Sequence, residues 1–329
     1  MLKPWMKTAL LAAAFALLFW TCAVPSTTSM VPEPLPTASL EPGSLPEHWI
    51  NGTDENEPLI QVHAYNDDLY ILRQSKRTDY EAPFLYLIFG DEKVILLDTG
   101  SRGKPPVRET VERVIKEWCA KNNRDDIHLI VSHTHGHGDH RANDYQFRDR
   151  DNTTYVSWRQ NRMQEFFGIT DWPTQLVEYD LGNRVLDVIP TPGHHRAHLV
   201  FYDRRTGVLL SGDTFYPGFL FVFRPADWQP FRDSTKRLVD FVRKHPIATI
   251  LGCHVEMTDQ PKHAFAYRTK QHPDERVLEL TVADLEELHA TLEAMDDKPY
   301  IEPHDSFIVY PAWQAERFGA KPPVDGDKK

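Results

Sequence analysis

The sequence contains few cysteines and fewer basic than acidic residues. Among its 329 residues are three cysteines, Cys22, Cys119 and Cys253, which are too few for a disulfide framework. The 37 lysine and arginine residues face 48 aspartate and glutamate residues, and the formal net charge is −11. A surface of that sign repels polyanions, so the composition argues against RNA or DNA as a substrate. No period of about 20 to 50 residues recurs, which excludes a repeat architecture.

An apolar run at the N-terminus predicts a secretory signal peptide over residues 1–23. Lys3 and Lys7 precede this run, which covers residues 9–20 and is followed by small residues. We therefore expect export to the periplasm or the medium. Two alternatives stay open at this point: the segment is retained and tethers the protein to a membrane, or a lipid is attached at Cys22.

The rest of the chain divides into a linker, one large domain and a tail. Residues 24–48 contain six prolines and are predicted to form a disordered tether. Residues 49–310 are long enough to bury a substantial core and are predicted to form one domain. Residues 311–329 are predicted to be a polar C-terminal tail.

Two periodicities predict the secondary structure of this domain. Short apolar runs bounded by turn residues, such as residues 84–89, 94–97 and 127–131, predict strands. Apolar residues at helical spacing predict amphipathic helices over residues 106–120 and 231–244. A third helix is predicted to begin at a capping box formed by Thr281 and Asp284. The domain is therefore expected to be of the α/β class.

The stretch over residues 131–140, VSHTHGHGDH, is unusually dense in metal-binding side chains. It follows an apolar run that predicts a buried strand, and Gly136 and Gly138 let the backbone bend so that neighbouring side chains converge. Imidazole nitrogens and carboxylate oxygens are ligands that suit zinc, iron or manganese. The chelating frame H-x-H-x-D-H leaves out His133 and comprises His135, His137, Asp139 and His140.

These residues resemble the signature loop of the metallo-β-lactamase-fold hydrolases, in particular the branch of glyoxalase II and the lactonases. The other motifs of that family occur in its order: Asp98 in LLDTG, His194 in TPGH, Asp213 in SGDT and His254 in GCH. The resemblance covers about residues 61–254. It implies a four-layer αββα sandwich of two mixed sheets with helices on the outer faces.

The resemblance also implies a binuclear site for two divalent metal ions, with zinc favoured over iron or manganese. His135, His137 and His194 would hold one ion, and Asp139, His140 and His254 would hold the other. Asp213 would bridge the two ions. Asp98 lies at the end of an apolar strand, where an ionised carboxylate needs partners, and we expect it to orient the metal loop rather than to cap a helix or a turn.

The implied reaction is hydrolysis of a small-molecule substrate. A metal-bound hydroxide would cleave an ester, thioester, lactone or related bond, and Asp139 would also accept a proton from the attacking water. Tyr216 lies where lactonases of this kind place a tyrosine that orients the substrate. Two alternatives stay open: a mononuclear-iron sulfur dioxygenase, similar to persulfide dioxygenases, and a zinc β-lactamase, which the aspartate at position 213 disfavours.

Overall fold

The computed structural model describes residues 40–318. The predicted signal peptide, the first part of the predicted tether and the end of the predicted tail lie outside the described residues. Within the described range, none of the helices combines the length and the apolar character needed to cross a membrane.

Six strands form a first sheet in the order in which they occur along the chain. Neighbouring strands are antiparallel from the first to the fourth, and the last three run parallel. The strands are β1 (Ile60–Asn66), β2 (Leu69–Gln74), β3 (Phe84–Phe89), β4 (Lys93–Leu97), β5 (His128–Ser132) and β6 (Thr153–Tyr155).

A second six-stranded sheet comprises β7 (Val177–Asp180), β8 (Val185–Pro190), β9 (Leu199–Asp203), β10 (Val208–Gly212), β12 (Thr249–Gly252) and β13 (Glu279–Leu280). Its order is β13-β12-β10-β9-β8-β7, and only β10 and β12 pair in parallel. A small third sheet has the order β11-β15-β14 and comprises β11 (Phe219–Val222), β14 (Glu302–Pro303) and β15 (Ile308–Pro311). The sequence patterns did not predict this third sheet.

The α-helices of the described range are α1 (Val107–Lys121), α2 (Gly138–Arg141), α3 (Gln160–Phe167), α4 (Trp228–Val242) and α5 (Val282–Met295). The predicted capping box at the start of α5 is confirmed, because the Thr281 side chain accepts from the Asp284 N–H while the Asp284 carboxylate accepts from the Thr281 N–H. These bonds satisfy backbone donors that a helix start leaves without partners.

Three clusters of buried apolar side chains arrange the elements in layers. The first lies between the two large sheets and includes Tyr86 of β3 and Phe201 of β9. The second joins the outer face of the first sheet to α1 and includes Leu87 of β3 and Val111 of α1. The third joins the outer face of the second sheet to α4 and α5. The layers therefore follow the order helix, sheet, sheet, helix, which confirms the predicted αββα sandwich.

The domain extends beyond the predicted boundaries at both ends. In the predicted tether, the Glu41 N–H donates to the Arg205 carbonyl oxygen and the Ser44 N–H donates to the Tyr65 carbonyl oxygen, each at 2.9 Å. In the predicted tail, Ala312 and Ala315 are buried. Residues 40–48 and 311–315 thus belong to the packed domain. Neither segment shows an apolar periodicity. Their partners are distant in sequence: Ser44 bonds to Tyr65 of β1, and Pro311 pairs with Val222 of β11.

Candidate metal centre

The predicted site residues lie in loops and one short helix that follow the carboxyl ends of strands. The loop after β5 and helix α2 supply four of them, and single residues follow β8, β10 and β12. They are His135, His137, Asp139, His140, His194, Asp213 and His254. Because β10 and β12 are parallel neighbours, their carboxyl ends lie at one edge of the second sheet and deliver Asp213 and His254 side by side.

One part of the site is a three-histidine group formed by His135, His137 and His194. His137 Nδ1 lies 3.0 Å from His135 Nε2 and 2.9 Å from His194 Nε2. On the outer side, His194 Nδ1 lies 2.9 Å from the carbonyl oxygen of Phe221 and therefore carries the proton. The inner Nε2 of His194 is left with a lone pair that faces the centre of the group.

The second part is an aspartate-histidine group formed by Asp139, His140, Asp213 and His254. The Nε2 atoms of His140 and His254 face each other at 3.3 Å. Asp139 Oδ2 lies 3.3 Å from the first and 3.2 Å from the second. The outer nitrogens are held by acceptors, since His140 Nδ1 lies 2.9 Å from Asp98 Oδ2 and His254 Nδ1 lies 3.0 Å from the Glu81 carbonyl oxygen.

The carboxylate of Asp213 faces both groups. Its Oδ2 lies 3.4 Å from His194 Nε2 and 3.3 Å from His140 Nε2, and its Oδ1 lies 3.6 Å from His254 Nε2. Oδ1 is buried and has no hydrogen-bond partner among residues 40–318. A buried carboxylate oxygen without a donor is costly unless a cation compensates its charge.

The donor set fits divalent metal ions. Outer acceptors hold the protons of neutral His140, His194 and His254 away from the centre, so their inner nitrogens can offer lone pairs to it. Lone pairs at this range repel one another unless protons or metal ions lie between them. The side chains offer nitrogen and oxygen atoms and no thiolate, a set that suits zinc and neighbouring divalent ions.

The electrostatics differ between the two groups. Burial, reinforced by neighbouring imidazoles, lowers the pKa of His135 and His137 well below the usual value, so both stay neutral. Burial also disfavours protonation of His140 and His254, yet Asp213 and Asp139 outweigh it and raise both pKa values, that of His254 to about 9. Without metal, protons therefore reside in the aspartate-histidine group at neutral pH, and metal binding has to release them.

Asp98 holds the metal loop through three hydrogen bonds. Its Oδ1 accepts from the Thr134 N–H at 2.8 Å, and its Oδ2 accepts from the Thr134 hydroxyl at 2.7 Å and from His140 Nδ1. Cys253 lies 3.6 Å from the same carboxylate, and burial raises the pKa of its thiol, so it stays protonated. Asp98 thus fixes both the path of the loop and the proton position on His140.

His198 positions Asp213, a role that the sequence patterns did not reveal. Its Nε2 accepts from the Asp213 N–H at 3.0 Å, and its Nδ1 lies 2.8 Å from the Thr191 hydroxyl. Gly212 makes room for this contact, because a Cβ atom there would lie 2.6 Å from His198 Nε2. The only indication in the sequence was that His198 follows the TPGH motif closely. The Glu81 carbonyl left no signal, since a backbone acceptor can belong to any residue type.

Two residues near the site have other partners. His133, predicted not to be a ligand, is buried with Nε2 2.8 Å from Asp144 Oδ1 and lies outside both groups. The role of Tyr216 in substrate orientation stays a prediction, and its hydroxyl lies 3.2 Å from Glu256 Oε2. Its ring lies edge-on to His254, but its buried hydroxyl donates to the Phe219 carbonyl oxygen. The tight turn between β10 and β11 directs this hydroxyl to the backbone, so Tyr216 shapes the turn.

Comparisons with known proteins show which family and which relatives the chain resembles. Residues 81–254 match the family model described as the metallo-beta-lactamase superfamily. The acyl-coenzyme A thioesterase MBLAC2 of Bos taurus is 26% identical over 207 residues, which cover 52% of this chain and 72% of that protein. The hydroxyacylglutathione hydrolase of Chelativorans sp. (strain BNC1) is 28% identical over 154 residues, which cover 45% of this chain and 55% of that protein.

Among solved structures, the metallo-β-lactamase FIM-1 from Pseudomonas aeruginosa in its mono-zinc form aligns with a TM-score of 0.48 and 16% sequence identity. The alignment covers 75% of this chain and 99% of that structure.

Proposed function

The chain belongs to the metallo-β-lactamase superfamily and is a metal-dependent hydrolase, and from that premise we propose that it is a binuclear enzyme that cleaves a thioester or a related ester bond in a small molecule. The two kinds of relative support the thioester, because one is named an acyl-coenzyme A thioesterase and the other a hydroxyacylglutathione hydrolase. Lactones are the next substrates to test, since their ring opening is the same acyl transfer to water.

The observation that carries the proposal is the placement of Asp213. One carboxylate lies within 3.7 Å of imidazole nitrogens from both the three-histidine group and the aspartate-histidine group. The seven side chains would hold two ions, with Asp213 shared between them. When bound, such ions act as Lewis acids and lower the pKa of coordinated water toward neutrality.

The residues of the chain orient the donors and handle the proton. Asp98, the Glu81 carbonyl and the Phe221 carbonyl fix the inner nitrogens as lone pairs, so the site is organised before substrate arrives. Asp139 is the most exposed carboxylate of the site, with 19% of its side chain accessible. Its carboxylate is therefore suited to accept a proton from the attacking water. The water oxygen bonds to the acyl carbon, the carbon–sulfur bond breaks, and the thiolate takes up a proton.

The aspartate at position 213 also supports this function over β-lactam hydrolysis. Zinc β-lactamases of this fold have a cysteine or a serine at the corresponding position, so they lack a carboxylate that two ions could share. The chemistry of a bridging carboxylate matches that of thioesterases and lactonases of the superfamily.

Metal analysis combined with a substrate panel tests the proposal. The purified protein is expected to bind two zinc equivalents and to hydrolyse thioester reporters faster than lactone, phosphodiester and β-lactam reporters. Asp213→Ala should lose at least one equivalent of metal and at least about 100-fold in kcat/KM. Asp240→Ala is a matched control, because Asp240 pairs with Lys236 on the exposed face of α4.

Two results would overturn the proposal. One is an Asp213→Ala protein that retains both metal equivalents and full activity. The other is a wild-type protein that binds one iron and consumes oxygen without hydrolysing any of the reporters, which would point to the sulfur dioxygenase alternative.

A further inference from the structure

Strand β11 carries phenylalanines at alternate positions on one face. Leu220 and Val222 are fully buried in the cluster beneath α4 and α5. Successive side chains of a strand point to opposite faces, so Phe219 and Phe221, and Phe223 directly after the strand, share the other face. We call these three residues the aromatic ladder.

The ladder is a continuous stack of rings. The centroids of Phe219 and Phe221 lie 5.7 Å apart with an interplanar angle of 24°, and those of Phe221 and Phe223 lie 5.7 Å apart at 21°. Tyr310, on the paired strand β15, contacts the rings of Phe219 and Phe221 edge-on at 5.5 and 5.0 Å. Aromatic pairs in these arrangements are favourable, so the stack forms a defined apolar surface.

One end of the ladder touches the metal centre. The Phe223 ring lies 5.3 Å from the His137 ring and 5.4 Å from the His194 ring, and the Phe221 carbonyl holds His194 Nδ1. At the other end, Phe219 lines a small cavity together with Glu256 and Tyr267. Four residue steps along a strand span about 13 Å. The ladder is thus an apolar strip that begins at the three-histidine group and leads away from it.

The position of the ladder is fixed by hydrogen bonds of the main chain. The Phe219 N–H donates to Glu256 Oε2 at 2.8 Å, and the Phe219 carbonyl accepts from the Tyr216 hydroxyl. Phe219 and Phe223 are only partly buried, so their rings have surface to offer to a ligand. A rigid apolar surface beside a reactive centre binds the apolar part of a substrate by removing it from water.

We propose that the aromatic ladder binds the acyl chain of the substrate, and that the enzyme prefers thioesters or esters of medium and long unbranched acyl groups. This inference rests on the proposed hydrolysis. The acyl side is chosen because thiol carriers such as coenzyme A and glutathione are polar and charged, and charged groups lose hydration without compensation on a phenylalanine surface. An acyl group whose carbonyl lies at the metal centre would extend along Phe223 and Phe221 toward Phe219.

A chain-length series tests the ladder with the metal-loaded enzyme. Acetyl, hexanoyl and decanoyl thioesters of one small uncharged thiol are compared by kcat/KM. In the wild type, kcat/KM should rise by about 2- to 4-fold for each methylene that contacts the ladder. Phe219→Ala should lower the decanoyl-to-hexanoyl ratio by about 3- to 10-fold, since it removes the far end of the surface. Phe219→Leu keeps an apolar contact and should retain most of the ratio.

Tyr300→Ala is the matched control, because Tyr300 is an aromatic residue that is 46% exposed and lies outside the ladder. It should leave the decanoyl-to-hexanoyl ratio unchanged. An unchanged decanoyl-to-hexanoyl ratio in Phe219→Ala would overturn the inference. If that variant also loses a dimer that the wild type forms in size-exclusion chromatography, the ladder is a contact between copies of the chain instead.

A binding measurement separates failure of the ladder from failure of the proposed function. Calorimetric titration of the metal-loaded protein with decanol and hexanol needs no hydrolysis. Decanol should bind more tightly, and Phe219→Ala should remove most of the difference. If no reporter is hydrolysed but this difference is present, the proposed function is wrong and the apolar site stands. If hydrolysis occurs but the alcohols bind equally, only the ladder is wrong.

Discussion

The replacement of Asp98 by asparagine should weaken metal binding although Asp98 belongs to neither ligand group. Four donors reach this fully buried carboxylate: the N–H and the hydroxyl of Thr134, the Nδ1–H of His140 and the thiol of Cys253. An asparagine side chain replaces one oxygen with an NH₂ group. In either orientation at least one donor then faces another donor inside the core.

The expected magnitude follows from these contacts. A buried donor without a partner costs about 1–3 kcal/mol of unfolding free energy. If His140 responds by moving its proton to Nε2, its inner nitrogen no longer offers a lone pair. Loss of such a supporting hydrogen bond typically costs about 10- to 100-fold in metal affinity. Asp98→Asn should therefore weaken zinc binding by that factor as well as lower stability.

The assay is a zinc competition titration against a chromophoric chelator, together with denaturant unfolding of the metal-free protein. Asp203→Asn is a matched control, because Asp203 is also buried and accepts from Arg184 Nε at 3.1 Å, outside the metal centre. The control should lose stability and keep its zinc affinity. If Asp98→Asn loses stability to the same extent but binds zinc like the wild type, the assigned role of Asp98 is refuted.

Three further predictions concern pH, Tyr216 and the N-terminus. Burial disfavours protonation of His254, but Asp213 and Asp139 outweigh it and raise the pKa of His254 from 6.5 to about 9. The apparent zinc affinity should therefore fall as the pH decreases below about 9. Calorimetry in buffers of different ionisation enthalpy should detect the release of protons on zinc binding. The same pKa shift stabilises the folded, metal-free protein. This stabilisation is complete below about pH 6.5 and is lost as the pH rises through about 9. Unfolding curves at several pH values measure it, and the opposite trend would contradict the prediction. Tyr216→Phe should lower the free energy of unfolding by about 0.5–1.5 kcal/mol, because it removes the hydrogen bond from the hydroxyl to the backbone. KM should change little. A large rise in KM without a loss of stability would show that Tyr216 contacts the substrate. Mass spectrometry of the protein from an exporting host should give a mature chain that starts near residue 24, whereas full-length chain would contradict cleavage.

Much of the fold was predictable from local patterns. The apolar stripe over residues 106–120 became α1, one residue further along, and the stripe over residues 231–244 became α4, which begins three residues earlier. The strand ends that carry His194, Asp213 and His254 were also predicted, because each follows an apolar run. Such periodicities reflect which face of an element is buried, and they are therefore visible in a short window of sequence.

Elements stabilised by distant partners were not predictable in this way. Strand β11 was not predicted, and its register with β15 joins Phe219 to Ile308. Nothing within the four residues of β11 specifies a partner so far along the chain. The same holds for the ends of the domain, where Ser44 bonds to Tyr65 of β1 and Pro311 pairs with Val222 of β11.

The sequence by itself determined which side chains are available for a metal and the order in which they occur, because the ligand types and the H-x-H-x-D-H spacing are local properties of the chain. The tertiary structure alone decided how these side chains are held. The carbonyls of Glu81 and Phe221 select the inner nitrogens of His254 and His194, and the turn after β10 directs the Tyr216 hydroxyl to the backbone. Backbone acceptors have no sequence signature, so their roles depend on which strands the fold brings together.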